Sequence, residues 1–367
     1  MTASLTDPWM LGHVRVPNRV LLAPLAGIGN WFVRLQAKRY GAGMAVSEMV
    51  SSHAIRHGNA KTCTEMLRID PRERIVGTGR PGGIVSIQLF GEDPDTMRLA
   101  AAHVAGVGVD AIDINMGCPV AKVQKTGAGA ALLADPDRAV AVARATVEGA
   151  GATEAGPLPV TVKLRSGLRP GDNSGFELAH RLVAEAGVAA IAFHPRSASV
   201  QHKGVPDYQL AAALVASLPA PVILTGGLSD AARVRQAFAA TGAQAVMIAR
   251  GALGNPWLFE QLLGGREGEP GRDEILVELD WTIERAVEHL GEPRATRYLR
   301  KFYPWYVTRL QLAPARAKSL QQALQSASTL AHARALLGLR AAPGPPAGGG
   351  LTPRLPVAGA ALYCCAR

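Results

Sequence analysis

A chain of 367 residues, 48% hydrophobic and 19% charged, suits one barrel with an appendage or two domains, with apolar residues enough for a large core. Its four cysteines, two of them adjacent at Cys364 and Cys365, exclude a disulfide framework and point to a reducing, cytoplasmic compartment. No apolar run approaches the ~18 residues of a membrane span, and MTASLTDPWMLGHVRVPNRV lacks the basic start and apolar core of a signal peptide, so neither is expected.

The elements alternate strand and helix. Arg19–Leu25 is an apolar strand ended by a turn at Gly27–Asn30, and Trp31–Tyr40 reads as its helix. Met44–Val50 is a second strand, and Gly83–Phe90 a third, followed by helical Pro94–Ala105. Ala111–Asn115 precedes the helix Pro136–Glu148, and Val160–Leu164 precedes Gly175–Ala186. Ala189–His194 leads to Tyr208–Leu218, Pro221–Thr225 to Asp230–Thr241, and Ala245–Ala249 to Trp257–Leu263. Eight apolar strands alternating with helices predict an α/β fold, the (β/α)8 TIM barrel, over residues 1–264.

Beyond it Gly264–Arg272 is a linker by composition. Asp273–Leu290, Thr296–Leu310 and Arg316–Leu339 then read as helices of a small all-helical domain over residues 265–340. Residues 341–367 are Pro/Gly-rich, of low complexity and expected to be disordered, and their terminal CCAR is no prenylation box. The net charge is +10, and the stretch 293–340 carries nine basic residues and no acidic one. Those residues are Arg294, Arg297, Arg300, Lys301, Arg309, Arg316, Lys318, Arg334 and Arg340. Such a one-signed region suits a polyanion; the alternative is a solvated helix surface.

Chemistry concentrates where strands end, as parallel α/β folds require. In VDAIDINMGCPVAKVQKTGAGAALL (Val109–Leu133), Cys118 follows the fourth strand. A lone cysteine is ordinarily a small buried hydrophobe. Here Gly117 and Pro119 fix the backbone, Asn115 offers an amide, and Lys122 and Lys125 raise the local potential, favouring thiolate and proton exchange. Other strand ends carry Pro24, Leu25 and Ala26, then Gln88, Lys163 with Arg165, and His194 with Arg196. Lys163 inside an apolar strand is costly unless it faces a ligand or a carboxylate. For His194 a satisfied core histidine remains an alternative. Gly226 and Gly227 after strand seven, with Ala249 and Arg250 after strand eight, stand where barrels hold phosphate. No metal site is expected and no GxSxG turn occurs, so the site implies an organic cofactor with a phosphate.

The segments APLAGIGNWFVR, GAGMAVSEMVSS, SIQLFGEDP, IDINMGCPVAKVQKTGAGAALL, VTVKLRSG, FHPR, PVILTGG and MIARGALGNPW run in order from Ala23 to Trp257. In them the chain resembles the bacterial tRNA-dihydrouridine synthase family, closest to its B-type branch. KFYPWY (Lys301–Tyr306) resembles that family's helical RNA-binding domain. The resemblance implies an FMN flavoenzyme, re-reduced by NADPH, that reduces C5=C6 of selected uridines in tRNA. It implies a proton from Cys118, flavin contacts from the backbone of Pro24, Leu25 and Ala26, and further flavin contacts from Gln88, Lys163 and His194. Gly226, Gly227, Ala249 and Arg250 would hold the phosphate. Asn115 and Arg165 would meet the uracil, and Lys122 and Lys125 the RNA backbone. A monomer is the family norm. The chain departs from the pattern at Leu25–Asn30, where the family usually has Met-Ala-Gly-x-Thr-Asp. It departs again at Thr225-Gly226-Gly227, in place of Asn-Gly-Asp, and at Ala249, in place of Gly. Two other readings remain: a flavin barrel reducing a dihydropyrimidine or enone, and a tRNA-binding chaperone without catalysis. The basic segment speaks against the first, and an intact Cys118 against the second.

Overall fold

The computed structural model describes residues 3–76, 80–81 and 83–339. Eight parallel strands close into a barrel: β1 (Val20–Leu22), β2 (Met44–Ser51), β3 (Ile84–Phe90), β4 (Ala111–Met116), β5 (Val160–Arg165), β6 (Ala190–His194), β7 (Val222–Thr225) and β8 (Ala245–Ile248). Each pairs with its neighbours in chain order, and β8 pairs with β1. This is the expected TIM barrel. Its helices are α1 (Trp31–Arg39), α2 (Pro94–Gly106), α3 (Pro136–Ala150), α4 (Ser174–Ala186), α5 (Tyr208–Ser217), α6 (Ala231–Thr241) and α7 (Trp257–Leu263), with only the short helix Ser52–Arg56 directly after β2.

The sequence dictates where these helices begin. Asp93, Asp135, Asp207 and Asp230 each accept a backbone N–H from three residues on, and Asn30 does the same for Phe32 and Val33. Such caps contribute roughly 1 kcal/mol each. Pro94 and Pro136 follow two of them, at the position where a missing N–H leaves no bond unmade. β1 is shorter than the predicted Arg19–Leu25 because Pro24 has no N–H for a ladder.

The element before β1 has no counterpart in the predicted series. Trp9–Leu11 pairs with Val14–Val16 in a hairpin, strands too short for their periodicity to show. Trp9, Leu11 and Val16 join Leu21, Met44, Val46, Ala192 and Met247 in one buried cluster. Trp9 Nε1 also donates to the carbonyl of Asn18, at 3.1 Å, just before β1. The hairpin thus plugs the amino end of the barrel. Full burial of each such apolar side chain stabilises by roughly 1.5–3 kcal/mol. Polar groups are left to the other end.

Outside the strands, α1 directs Arg34 and Lys38 at Glu73, with all three side chains fully buried. Arg34 meets the carboxylate through Nε at 2.7 Å and Nη2 at 2.8 Å. Lys38 donates to the Glu73 carbonyl at 3.2 Å. Burial, reinforced by Arg34 and opposed by Glu73, pulls the Lys38 ammonium down to about 7. The cluster clamps the turn Pro71–Arg74 to the outer helix layer.

The chain divides into two compact units, Met1–Glu269 and Pro270–Arg367, the break falling inside the Gly264–Arg272 segment. The described part of the second unit is all helical: α8 (Arg272–Leu290), α9 (Glu292–Leu299), α10 (Tyr303–Val307), α11 (Pro314–Ser326) and α12 (Leu330–Leu337). Two predicted helices are each split. Pro304, which cannot donate, sits in the first turn of α10. Thr329 caps α12 by accepting from His332, ending the longer run read from Arg316 to Leu339. The low-complexity tail, residues 341–367, lies outside the described residues. Among the described residues no helix is long and apolar enough to cross a membrane.

Candidate active site

The inward side chains of β3, β4 and β5 stand in register. Gln88 faces Asp113, and Asp113 faces Thr161. The fully buried Asp113 accepts from Gln88 Nε2 at 2.6 Å and from Thr161 Oγ1. Burial raises its carboxyl to about 6, against the lowering pull of Thr161, Gln88 and Lys163. Gln88 Oε1 in turn accepts from Asn115 Nδ2 at 2.8 Å. Asn115 Oδ1 accepts from the backbone N–H of Gly117 at 3.2 Å and of Cys118 at 2.9 Å. The turn carrying the thiol is therefore tied to the barrel interior by side-chain amides. The Cys118 carbonyl accepts from Ala130, so both sides of the turn are held. Cys118 itself is partly exposed and forms no disulfide.

Lys163 and Arg165 rise beside it from β5. Lys163 as a residue is half-buried, and its ammonium is enclosed by protein. That enclosure, with Arg165, lowers it to about 8 against the pull of Asp113 and Cys118. The Asp113 carboxylate is the acidic group whose field it feels. Arg165 donates through Nε to the Gly117 carbonyl at 2.8 Å. Through Nη1 it donates to the carbonyls of Ser197 at 3.1 Å and Gln201 at 2.8 Å. It binds the β4 and β6 loops together, and burial holds it down to about 10. Asn115 and Arg165, singled out as ligand contacts, both serve first as struts for neighbouring loops.

On the adjacent strand β6, in register with Arg165, His194 is buried and accepts at Nε2 from Arg196 at 3.3 Å, which assigns its proton to Nδ1. Burial and the surrounding cations hold it well below the ordinary histidine value. The ring of His202 stacks on it, 6.2 Å between centroids, and is lowered to about 4 by burial and then by Arg250, Arg165 and Arg196. Gly226 and Gly227 have φ of +99° and +78°. A Cβ at Gly226 would run into the His194 ring, and one at Gly227 into the Tyr208 hydroxyl, itself hydrogen-bonded to the Gly226 carbonyl. Only glycine fits either position. Arg250 is exposed after β8, with Ala249 partly buried before it. Leu25 is buried, and its carbonyl accepts from Ile28 and Gly29, while Pro24 is half-buried and Ala26 exposed. Lys122 and Lys125 are exposed on and beside the short helix Ala121–Gln124.

Sequence reasoning passed over Asp113, although the argument applied to Lys163, a charge at an inward strand position, applies equally to AIDIN. His202 and Tyr208 lie in a loop and at a helix start, and no pattern marks them. His53 and His57 have HxxxH spacing, but His53 meets Glu92 at 3.0 Å, and among the described residues no three of His, Cys, Asp and Glu gather as metal ligands.

A closed parallel barrel with its polar side chains gathered at the carboxyl ends of the strands is a TIM-barrel enzyme. Its kind follows from comparison with known proteins: the dihydrouridine synthase (Dus) family model matches residues 21–341. The "Probable tRNA-dihydrouridine synthase" of Rhodobacter capsulatus is 36% identical, over 90% of this chain and 98% of its own length. The "tRNA-dihydrouridine synthase B" proteins of Shewanella oneidensis and Yersinia pestis are 33% and 35% identical, each over 81% of this chain, covering 88% and 89% of theirs. The chain belongs to the dihydrouridine synthase family. Among solved structures, morphinone reductase shares the fold at TM-score 0.52 and 18% identity, over 75% of this chain and 93% of its own. Histamine dehydrogenase from Rhizobium sp. 4-9 does so at 0.53 and 14%, over 71% and 48%.

Proposed function

We propose that this enzyme reduces the C5=C6 bond of selected uridines in tRNA to 5,6-dihydrouridine, with FMN as bound cofactor and NADPH as reductant. The observation that carries the reading is a partly exposed thiol at the barrel mouth, on a turn braced from within and flanked by Lys163 and Arg165. The curated relatives are named for this activity.

Two features fit a bound flavin mononucleotide. The Gly226–Gly227 backbone forms a cradle that any Cβ would fill, beside Arg196, His202 and Arg250. The Gln88 amide spends one hydrogen on Asp113 and accepts one from Asn115, leaving a further donor and acceptor for a ring edge. Lys163 and His194 complete that wall, and the backbone of Pro24, Leu25 and Ala26 the other. The flavin, once bound, supplies the hydride for C6 of the uracil and is replenished by NADPH.

Cys118 gives its proton to C5. Saturating the bond creates an enolate-like carbanion, and a thiol near neutral pH is a competent acid for it. The thiolate left behind faces the Lys163 ammonium, which keeps most of its charge at neutral pH. Arg165, with Nη2 uncommitted to the loops it braces, meets the uracil, and Asn115 borders it. A uridine in folded RNA must leave its stack to reach this mouth, and Lys122 and Lys125 take the phosphates beside it. The exposed cations of the second unit hold the tRNA body.

The test uses unmodified tRNA transcripts, NADPH and purified protein, with dihydrouridine mapped at nucleotide resolution. Reduction at one or two positions supports the reading. Flavin-loaded protein that consumes NADPH only with a small enone overturns it.

A further inference from the structure

We propose that Asp113 is a positioning residue for Cys118: through the Gln88 and Asn115 amides its carboxylate fixes the orientation in which the thiol-bearing turn is held. The inference rests on reading Cys118 as the proton donor, and it explains why β4 buries a carboxylate at all.

The chain of bonds has a direction. At one end stand the backbone N–H groups of Gly117 and Cys118, which can only donate. Asn115 must turn its oxygen to them and its NH2 to Gln88. Gln88 must then present its oxygen to Asn115 and its NH2 to position 113. A row that starts with donors and passes through two amides must end on an acceptor, and an ionised carboxylate only accepts. Thr161 supplies a hydroxyl to the second oxygen, and Lys163 is the charged group facing the pair. Rotating either amide by half a turn sets donor against donor in a dry interior, where an unpaired group is costly. Asn115, Gln88 and Asp113 are thus one device spread over two adjacent strands.

Two holoenzyme variants at pH 8 test this. Asp113→Asn can turn its oxygen to Gln88 and its NH2 to the Thr161 hydroxyl, keeping the wiring without the charge. Asp113→Leu removes the acceptor. Two readouts follow each variant: iodoacetamide alkylation of Cys118, resolved by peptide because Cys63 is also a thiol, and single-turnover reoxidation of reduced flavin by tRNA. The Leu variant should shift both at least tenfold and the Asn variant less than threefold. Equal shifts in the two, or Cys118 alkylation within twofold of wild type in the Leu variant, overturn the inference.

A swap covers the case in which the Leu variant does not fold. Asn115→Asp alone sets a carboxylate against Gln88 Oε1. Asp113→Asn with Asn115→Asp reverses the two bonds of the Gln88 amide while still facing an acceptor to Gly117 and Cys118. The double variant should recover at least tenfold over the single in reoxidation by tRNA; no recovery overturns the wiring. Wild-type protein that makes no dihydrouridine would sink the proton-donor reading instead, and the alkylation rates would still report on the turn.

Discussion

Cys118 is set apart from an ordinary core cysteine by its supports rather than by its own chemistry. Its N–H is held by Asn115, its carbonyl by Ala130, and the preceding Gly117 carbonyl by Arg165. Cys118→Ala removes the sulfur and none of these bonds. The variant should therefore stay yellow and bind tRNA as wild type does, while dihydrouridine formation falls roughly 100-fold or more, the usual worth of a positioned acid. Undiminished product from that variant would move the proton donor elsewhere. Lys38 offers a second test at this scale, on stability. Its ammonium is fully buried and lowered to about 7 from 10.5. Between those values the unfolded chain holds a proton that the folded protein lacks, so stability rises with pH across the window. The penalty is fully present below about 7 and is relieved towards 10.5. Denaturant midpoints should climb between pH 7.5 and 9.5, by on the order of a few kcal/mol. Lys38→Met should remove most of that climb, leaving the smaller part due to Lys163. An unchanged climb in Lys38→Met would mean that the lysine is not desolvated.

Elements were legible to the degree that their signal is local. All eight barrel strands follow from apolar runs, and the helix starts from Asp or Asn caps and Pro94 or Pro136. The floor hairpin was not, because Trp9–Leu11 and Val14–Val16 are each three residues long and become strands only through burial in the cluster. In the site, strand ends told where the side chains would gather, but not what they would touch. Arg165 is committed to loop carbonyls 32 to 48 residues away in the chain, and Asn115 is oriented by the Gln88 side chain 27 residues away, which no local pattern displays. The Gly226–Gly227 loop tests the same level of organisation. Gly226→Ala forces a Cβ towards His194 at a φ of +99°. It should lower stability by roughly 1–3 kcal/mol and weaken flavin retention on dialysis, read as loss of yellow absorbance. A variant retaining flavin like wild type would show that this loop does not hold the phosphate.

At the scale of the whole molecule, charge divides the labour between the units. The segment 293–340 is one-signed in sequence, but its unit is not. Helix α8 contributes Asp273, Glu274, Glu278, Asp280, Glu284 and Glu288. Arg334, counted among the cations of that segment, is buried against Asp280 at 2.7 Å and is withdrawn from any polyanion. Arg340 lies outside the described residues. Arg297, Arg316 and Lys318 remain exposed, the last two in a helix without an acidic residue, and they are the side chains to test. Replacing all three with Gln should weaken tRNA binding at moderate salt and flatten its dependence on log salt by about 0.7–0.9 for each phosphate no longer neutralised. Flavin content should not change, because the groups proposed to hold the flavin all lie in Met1–Glu269. An unaltered salt slope would make the basic helices a solvated surface and leave Lys122 and Lys125 as the main phosphate partners. A flatter slope with unimpaired reduction of a short uridine-containing oligonucleotide would separate the two tasks: grip by the helical unit, chemistry by the barrel.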